Sequence, residues 1–93
     1  MSTYIFSKWK NSPEGCPDEF YSELNSMRRE IRKVEVFKGG ELGFASKSGA
    51  SSNTRLGTEP VPSVAAIQRQ AEFDIEEISK EDFEVMWKTA TEA

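Results

Sequence analysis

Ninety-three residues with 37% hydrophobic side chains, 12 Lys or Arg, 16 Asp or Glu and no His suit one small domain, 1–93, burying roughly 60–65% of its unfolded surface. The net charge of −4 argues against nucleic acid or anionic membrane as partner, and no apolar run nears the roughly 20 residues of a membrane span. A lone cysteine, Cys16, excludes an internal disulfide and a thiolate metal cluster; with no leader-like N-terminus, a cytoplasmic location is expected.

The first element is an alternating strand, Tyr4 to Lys10, with Tyr4 and Phe6 on one side and Ile5 and Trp9 on the other. Residues Asn11 to Asp18 hold two prolines and a glycine and read as a loop. Extended structure resumes over Phe20 to Leu24, turns at Asn25-Ser26, and enters the hairpin around which the chain is organised, Arg29 to Ser46. Its Gly39-Gly40 pair suits a tight primed turn. Apolar residues occur at both parities of its first strand, as a central strand covered on two sides requires, with a bulge as the alternative.

Ser48 to Glu59 is rich in Ser and Gly, with Leu56 its one large apolar residue, and reads as a long unstructured loop, mobile or binding. Past Pro60-Val61-Pro62, the spacing predicts a short helix over Ser63 to Arg69 with Val64 and Ile67 inward, then an extended connector from Phe73 to Ile78. Ser79 caps the final helix, and Glu81 and Asp82 complement its dipole. Phe83, Met86, Trp87 and Ala90 follow at i, i+3, i+4 and i+7 as one apolar stripe across the sheet. As a core residue, Trp87 replaced by Ala would destabilise by roughly 3–5 kcal/mol. The fold expected is α+β: an antiparallel sheet of three to five strands, a C-terminal helix packed on one face and a short second helix.

No catalytic constellation is present. Zinc lacks ligands and a nucleophilic triad lacks its imidazole. Acidic neighbours disfavour a Cys16 thiolate. The pairs Glu76-Glu77 and Glu81-Asp82 read as solvated surface. No enzyme activity, cofactor or metal is expected. The basic cluster Arg28, Arg29, Arg32, Lys33 is interrupted by Glu30 and followed by Glu35, so cross-strand pairing with Glu23 or Glu41 outweighs nucleic-acid binding. Acid gathers instead at residues 72–84. Glu72, Asp74, Glu76 and Glu77, joined by Asp18 and Glu19, are the candidate partner-binding residues, suited to a basic protein surface.

Taken in order, Tyr21-Ser22-Glu23-Leu24, Arg32-Lys33-Val34-Glu35-Val36-Phe37, Gly43-Phe44-Ala45-Ser46, Leu56-Gly57-Thr58-Glu59-Pro60-Val61-Pro62, Glu72-Phe73, Ile78-Ser79 and Phe83-Glu84-x-x-Trp87 resemble a small uncharacterised bacterial domain family of unknown function. The chain departs from that pattern at Met27-Arg28-Arg29, where a tryptophan is usual, and in its 13–18 loop. The resemblance is to the small acidic domains found among polymorphic-toxin and contact-dependent inhibition systems. It implies an immunity protein that binds a cognate toxin, such as a basic nuclease, and blocks its site with an acidic surface. The alternative is a structural or regulatory interaction domain.

Overall fold

The computed structural model describes residues 2–92. In chain order they form β1 (Thr3–Trp9), β2 (Pro17–Leu24), β3 (Glu30–Phe37), β4 (Leu42–Ser46), β5 (Gly49–Ala50), α1 (Val64–Gln68), β6 (Phe73–Ile78) and α2 (Lys80–Glu92). The strands make one antiparallel sheet of order β5-β4-β3-β2-β1-β6. The sheet has six strands where three to five are expected from sequence. One addition is β5, a two-residue return on β4. The other is β6, expected as a connector; its Phe-Asp-Ile-Glu-Glu-Ile run pairs along β1 from Tyr4↔Ile78 to Trp9↔Phe73. Strand β2 also starts earlier than expected, at Pro17, the first residue of the strand, where a missing N–H is tolerated.

The organising hairpin turns through three residues, not through a two-residue primed turn. Gly40 N–H donates to the Phe37 carbonyl at 2.8 Å and Phe37 N–H to the Glu41 carbonyl at 2.9 Å. Only Gly40 needs a positive φ, 90°, which fits a type I turn closed by a G1 bulge. The β2–β3 connection repeats this pattern one strand earlier. Arg28 N–H donates to the Asn25 carbonyl and Asn25 N–H to the Arg29 carbonyl, both at 2.9 Å. Here a non-glycine residue, Arg28, occupies the left-handed position with φ 61°. The Asn25 carboxamide steadies the loop by accepting from the Met27 and Arg29 N–H groups.

Strand β3 is interior, as its two apolar parities require, and the sheet is covered on both faces. On one face α2 lies over β1 to β4. Ser79 caps it as expected, its hydroxyl accepting from Asp82 N–H at 3.0 Å. Along the stripe Phe83 and Ala90 are buried and Met86 and Trp87 half-buried, Trp87 edge-on to Phe44 of β4 and Met86 towards β6. Phe83 and Val34 are fully enclosed. On the other face Ile5, Leu24 and Ile75 form a buried cluster closed by Val61, Val64 and Ile67. The inward positions expected for α1 are therefore the ones used.

The 48–59 stretch differs most from expectation: after β5 it becomes a strap bound across that second face. It has few apolar residues because polar groups on β3 hold it. Thr54 Oγ1 donates to Glu35 Oε1 at 2.8 Å, Lys33 Nζ to the Arg55 carbonyl at 3.0 Å, and Gly57 N–H to Glu30 Oε1 at 2.6 Å. Buried Thr54 lies so close to Gly43 that a Cβ there would stand 2.0 Å from its hydroxyl. At the strap's end the Arg28 guanidinium donates to the Val61 and Pro62 carbonyls, each at 2.8 Å.

Candidate binding face

The face under α2 is set by strand register. Because β1 pairs with both β2 and β6, three cross-strand rows run over it: Glu23–Tyr4–Ile78, Tyr21–Phe6–Glu76 and Glu19–Lys8–Asp74. Arg32 adjoins the first row opposite Glu23, and Val34 the second opposite Tyr21.

Arg32 locks α2 to the sheet. Its Nε donates to Glu23 Oε1 at 2.5 Å, and its two terminal nitrogens grip Glu84 at 3.1 and 2.7 Å. The guanidinium carbon lies 4.8 Å from the Phe83 ring centre and 5.2 Å from that of Trp87, within cation–π range. Tyr4 completes the network by donating to Glu23 Oε2 at 3.1 Å. The hydrogen bonds from Arg32 hold the Glu84 carboxyl below its usual range. Burial works to raise Glu23, but Ser2 and Arg32 outweigh it and the net shift is downward. Glu84 in turn raises Arg32, burial notwithstanding. Cross-strand pairing with Glu23 is thus realised for Arg32, whereas Glu41 pairs with none of the cluster among the described residues. Lys33 joins Glu30 at 3.0 Å and Glu35 at 3.9 Å, and Arg29 donates to the Thr58 carbonyl. The basic cluster is spent on holding the fold together.

α2 covers β1 to β4 and leaves β6 largely uncovered, so an open cleft of about 360 Å³ lies between helix and sheet margin. Phe6 and Tyr21 pave it, their rings tilted at 4.9 Å. Glu76 and Ile78 contribute from β6, and Asp82, Val85 and Met86 from α2. Val85, off the buried stripe, is 64% exposed. Burial, with Glu19 and Asp82 nearby, pushes the Tyr21 hydroxyl above its ordinary pKa.

The six acidic residues singled out from sequence do not form one patch. Glu19, Asp74 and Glu76 share the α2 face, in adjacent rows. Lys8 stands between Glu19 and Asp74, and Asp74 pairs with Lys10 at 3.3 Å. Glu77, by strand alternation, belongs to the opposite face from Glu76. Asp18 is half-buried at the register shift between Pro17 and Glu19, away from the β6 margin. Exposed Glu72 precedes β6, its carbonyl accepting from Lys10 N–H. The residues that join Glu76 are Asp82, which lies within the acidic 72–84 stretch but is not among the six candidates, and the floor pair Phe6 and Tyr21. Val85 was the available signal, an apolar residue outside the helix stripe. Cys16 is half-buried. Among the described residues no three His, Cys, Asp or Glu side chains converge as a metal site requires, and no helix is long and apolar enough to cross a membrane.

A family model described as a domain of unknown function (DUF6881) matches residues 3–92. No curated protein and no solved structure matches the chain.

Proposed function

Because the chain belongs to the DUF6881 family of unknown function, its role has to be inferred from its own surface, and we propose a non-catalytic protein that binds a basic partner through the β6 side of the α2 face. Its particular form is a bacterial immunity protein, acting in the cytoplasm, that occludes the site of a cognate toxin. One observation carries this reading: Glu76 and Asp82, from two different elements, stand over an open apolar floor of Phe6 and Tyr21. Among the described residues neither carboxylate is ion-paired, whereas Glu23, Glu30, Glu35, Asp74 and Glu84 all are. Unpaired negative charge and open apolar surface thus adjoin each other in one cleft. Charge of that sign speeds encounter with a basic surface, and the apolar floor supplies contact area once docked. The Arg32 network supports the role by holding the helix wall of the cleft in place.

The test is protection in a living cell. The C-terminal domain of the polypeptide encoded directly upstream is expressed in a heterologous bacterium, alone or with this chain. Growth is expected to stop with the toxin domain alone, recover with the wild-type chain, and stop again with Glu76→Lys, Asp82→Lys. Arrest that the wild-type chain does not relieve, or relief that survives the double reversal, contradicts the proposal.

A further inference from the structure

We propose that the cleft between α2 and the β6 margin seats one arginine side chain of the partner, with its guanidinium between Glu76 and Asp82 and its stem on the Phe6–Tyr21 pair. This rests on the partner-binding reading above and narrows it from a charged face to a single anchoring group.

The two acidic residues come from different walls, β6 and α2, of one cleft, so a cation entering it is attracted from both sides. On the neighbouring row Lys10 is paired with Asp74, and Lys8 stands in register between Glu19 and Asp74. The floor favours a flat, weakly hydrated cation. Phe6 and Tyr21 present ring surface, and Val85 and Met86 add an apolar side against which an alkyl stem packs. A guanidinium stacks on aromatic rings and meets carboxylates through paired N–H groups; an ammonium is more strongly hydrated and binds as a point charge. Arg32 makes the same set of contacts inside this protein, to two carboxylates and two aromatic rings. The cleft offers acidic and aromatic groups of the same kinds one row along the sheet.

Charge points to a side chain carried by a protein and not to free arginine, which would bring its own carboxylate into an acidic rim, a repulsion absent when the residue is in a peptide.

The probe is N-acetyl-arginine amide, titrated into the full-length ¹⁵N-labelled protein and followed by amide chemical shifts. N-acetyl-citrulline amide, nearly isosteric and uncharged, and N-acetyl-lysine amide are run in parallel. Saturable shifts are expected at Phe6, Tyr21, Glu76 and Val85 with half-saturation at about 1–10 mM, as suits a single side chain. Lysine should bind a few-fold more weakly, and citrulline about tenfold more weakly or not at all. Glu76→Gln, at an exposed strand position, should weaken the arginine probe about threefold or more with an unchanged amide spectrum elsewhere. Shifts confined to other parts of the acidic surface, equal response to citrulline, or an unaffected Glu76→Gln variant would each overturn the inference. If the probe fails at the cleft while charge reversal still abolishes protection, the arginine seat is wrong and the binding face stands. A probe that binds there while the wild-type chain gives no protection keeps the seat and removes the toxin reading.

Discussion

Arg32 and Glu84, 52 residues apart in the chain, meet through two parallel hydrogen bonds of 3.1 and 2.7 Å. This is the fork-on-carboxylate geometry that makes arginine pairs directional. It ties the middle of the sheet to the second turn of α2, and so fixes one wall of the cleft. Replacing Arg32 by Ala leaves the Glu23 carboxylate, only 10% exposed, without its cation. A loss of about 2–4 kcal/mol is expected, below the figure for a fully buried pair because Arg32 retains some exposure. Glu84→Gln, at a side chain 38% exposed, should lose only about 0.5–1 kcal/mol. Urea denaturation of both variants checks the ranking; equal losses would mean that Glu23 does not depend on Arg32.

The same network sets the response to acid. Glu23 and Glu84 titrate lower in the fold than in the unfolded chain. Their contribution is therefore fully present above the unfolded carboxylate range, about 4.3 for Glu, and is lost as pH falls through the lowered folded values. The melting temperature should hold between about pH 6 and 8 and fall below about pH 4.5. A Glu23→Gln, Glu84→Gln double variant should show a shallower acid limb. Tyr4 and Tyr21 have raised values, burial being the largest cause for each, so their contribution is lost on the alkaline side, above about pH 10.

Gly43 measures how tightly the strap is held. A Cβ there would meet Thr54 Oγ1 at 2.0 Å and Asn53 Oδ1 at 2.6 Å, contacts that force the strap away from β4. Gly43→Ala should destabilise by about 1–3 kcal/mol and speed amide exchange over residues 51–58. Exchange that stays slow would show that the strap is not seated on that strand.

Arg28 tests the other end of the strap. Its left-handed backbone, φ 61°, is strained for a residue with a Cβ by about 1–2 kcal/mol, and Arg28→Gly relieves that. The same change removes two side-chain hydrogen bonds to Val61 and Pro62, worth about 0.5–1.5 kcal/mol each. The two effects nearly cancel, so global stability should move by less than about 1 kcal/mol while amide protection near Val61 falls. A clear rise in stability would mean that the side-chain bonds contribute nothing.

The features legible in the sequence were those written locally. Ser79 as cap, the Phe83–Ala90 stripe, the interior position of β3 and the inward Val64 and Ile67 all follow from spacing and side-chain shape. The features that were hidden depend on register between distant strands. Whether Glu76 lies beside Phe6 or Ile5 is decided by how β6 pairs with β1 across some 70 residues, and a one-residue slip would exchange Glu76 for Glu77 on the α2 face. The acidic residues were therefore identified by type but not sorted by face, and the cleft could not be assembled. The strap was hidden for another reason. Its anchors are Thr54, Gly57 and backbone carbonyls bonded to β3 carboxylates and lysine, and such contacts leave no hydrophobic pattern.

The central claim, that an acidic-walled cleft at the β6 margin docks a basic protein, is tested most directly by the affinity for the purified C-terminal domain of the polypeptide encoded upstream, the partner the proposed role predicts. Calorimetric titration compares the wild-type chain with Glu76→Lys, Asp82→Lys, each at low and high salt. Expected are one-to-one binding by the wild type, weakening of about tenfold or more on double reversal, and a smaller salt dependence in the variant. Unchanged affinity after reversal, or tighter binding at high salt, would contradict the claim.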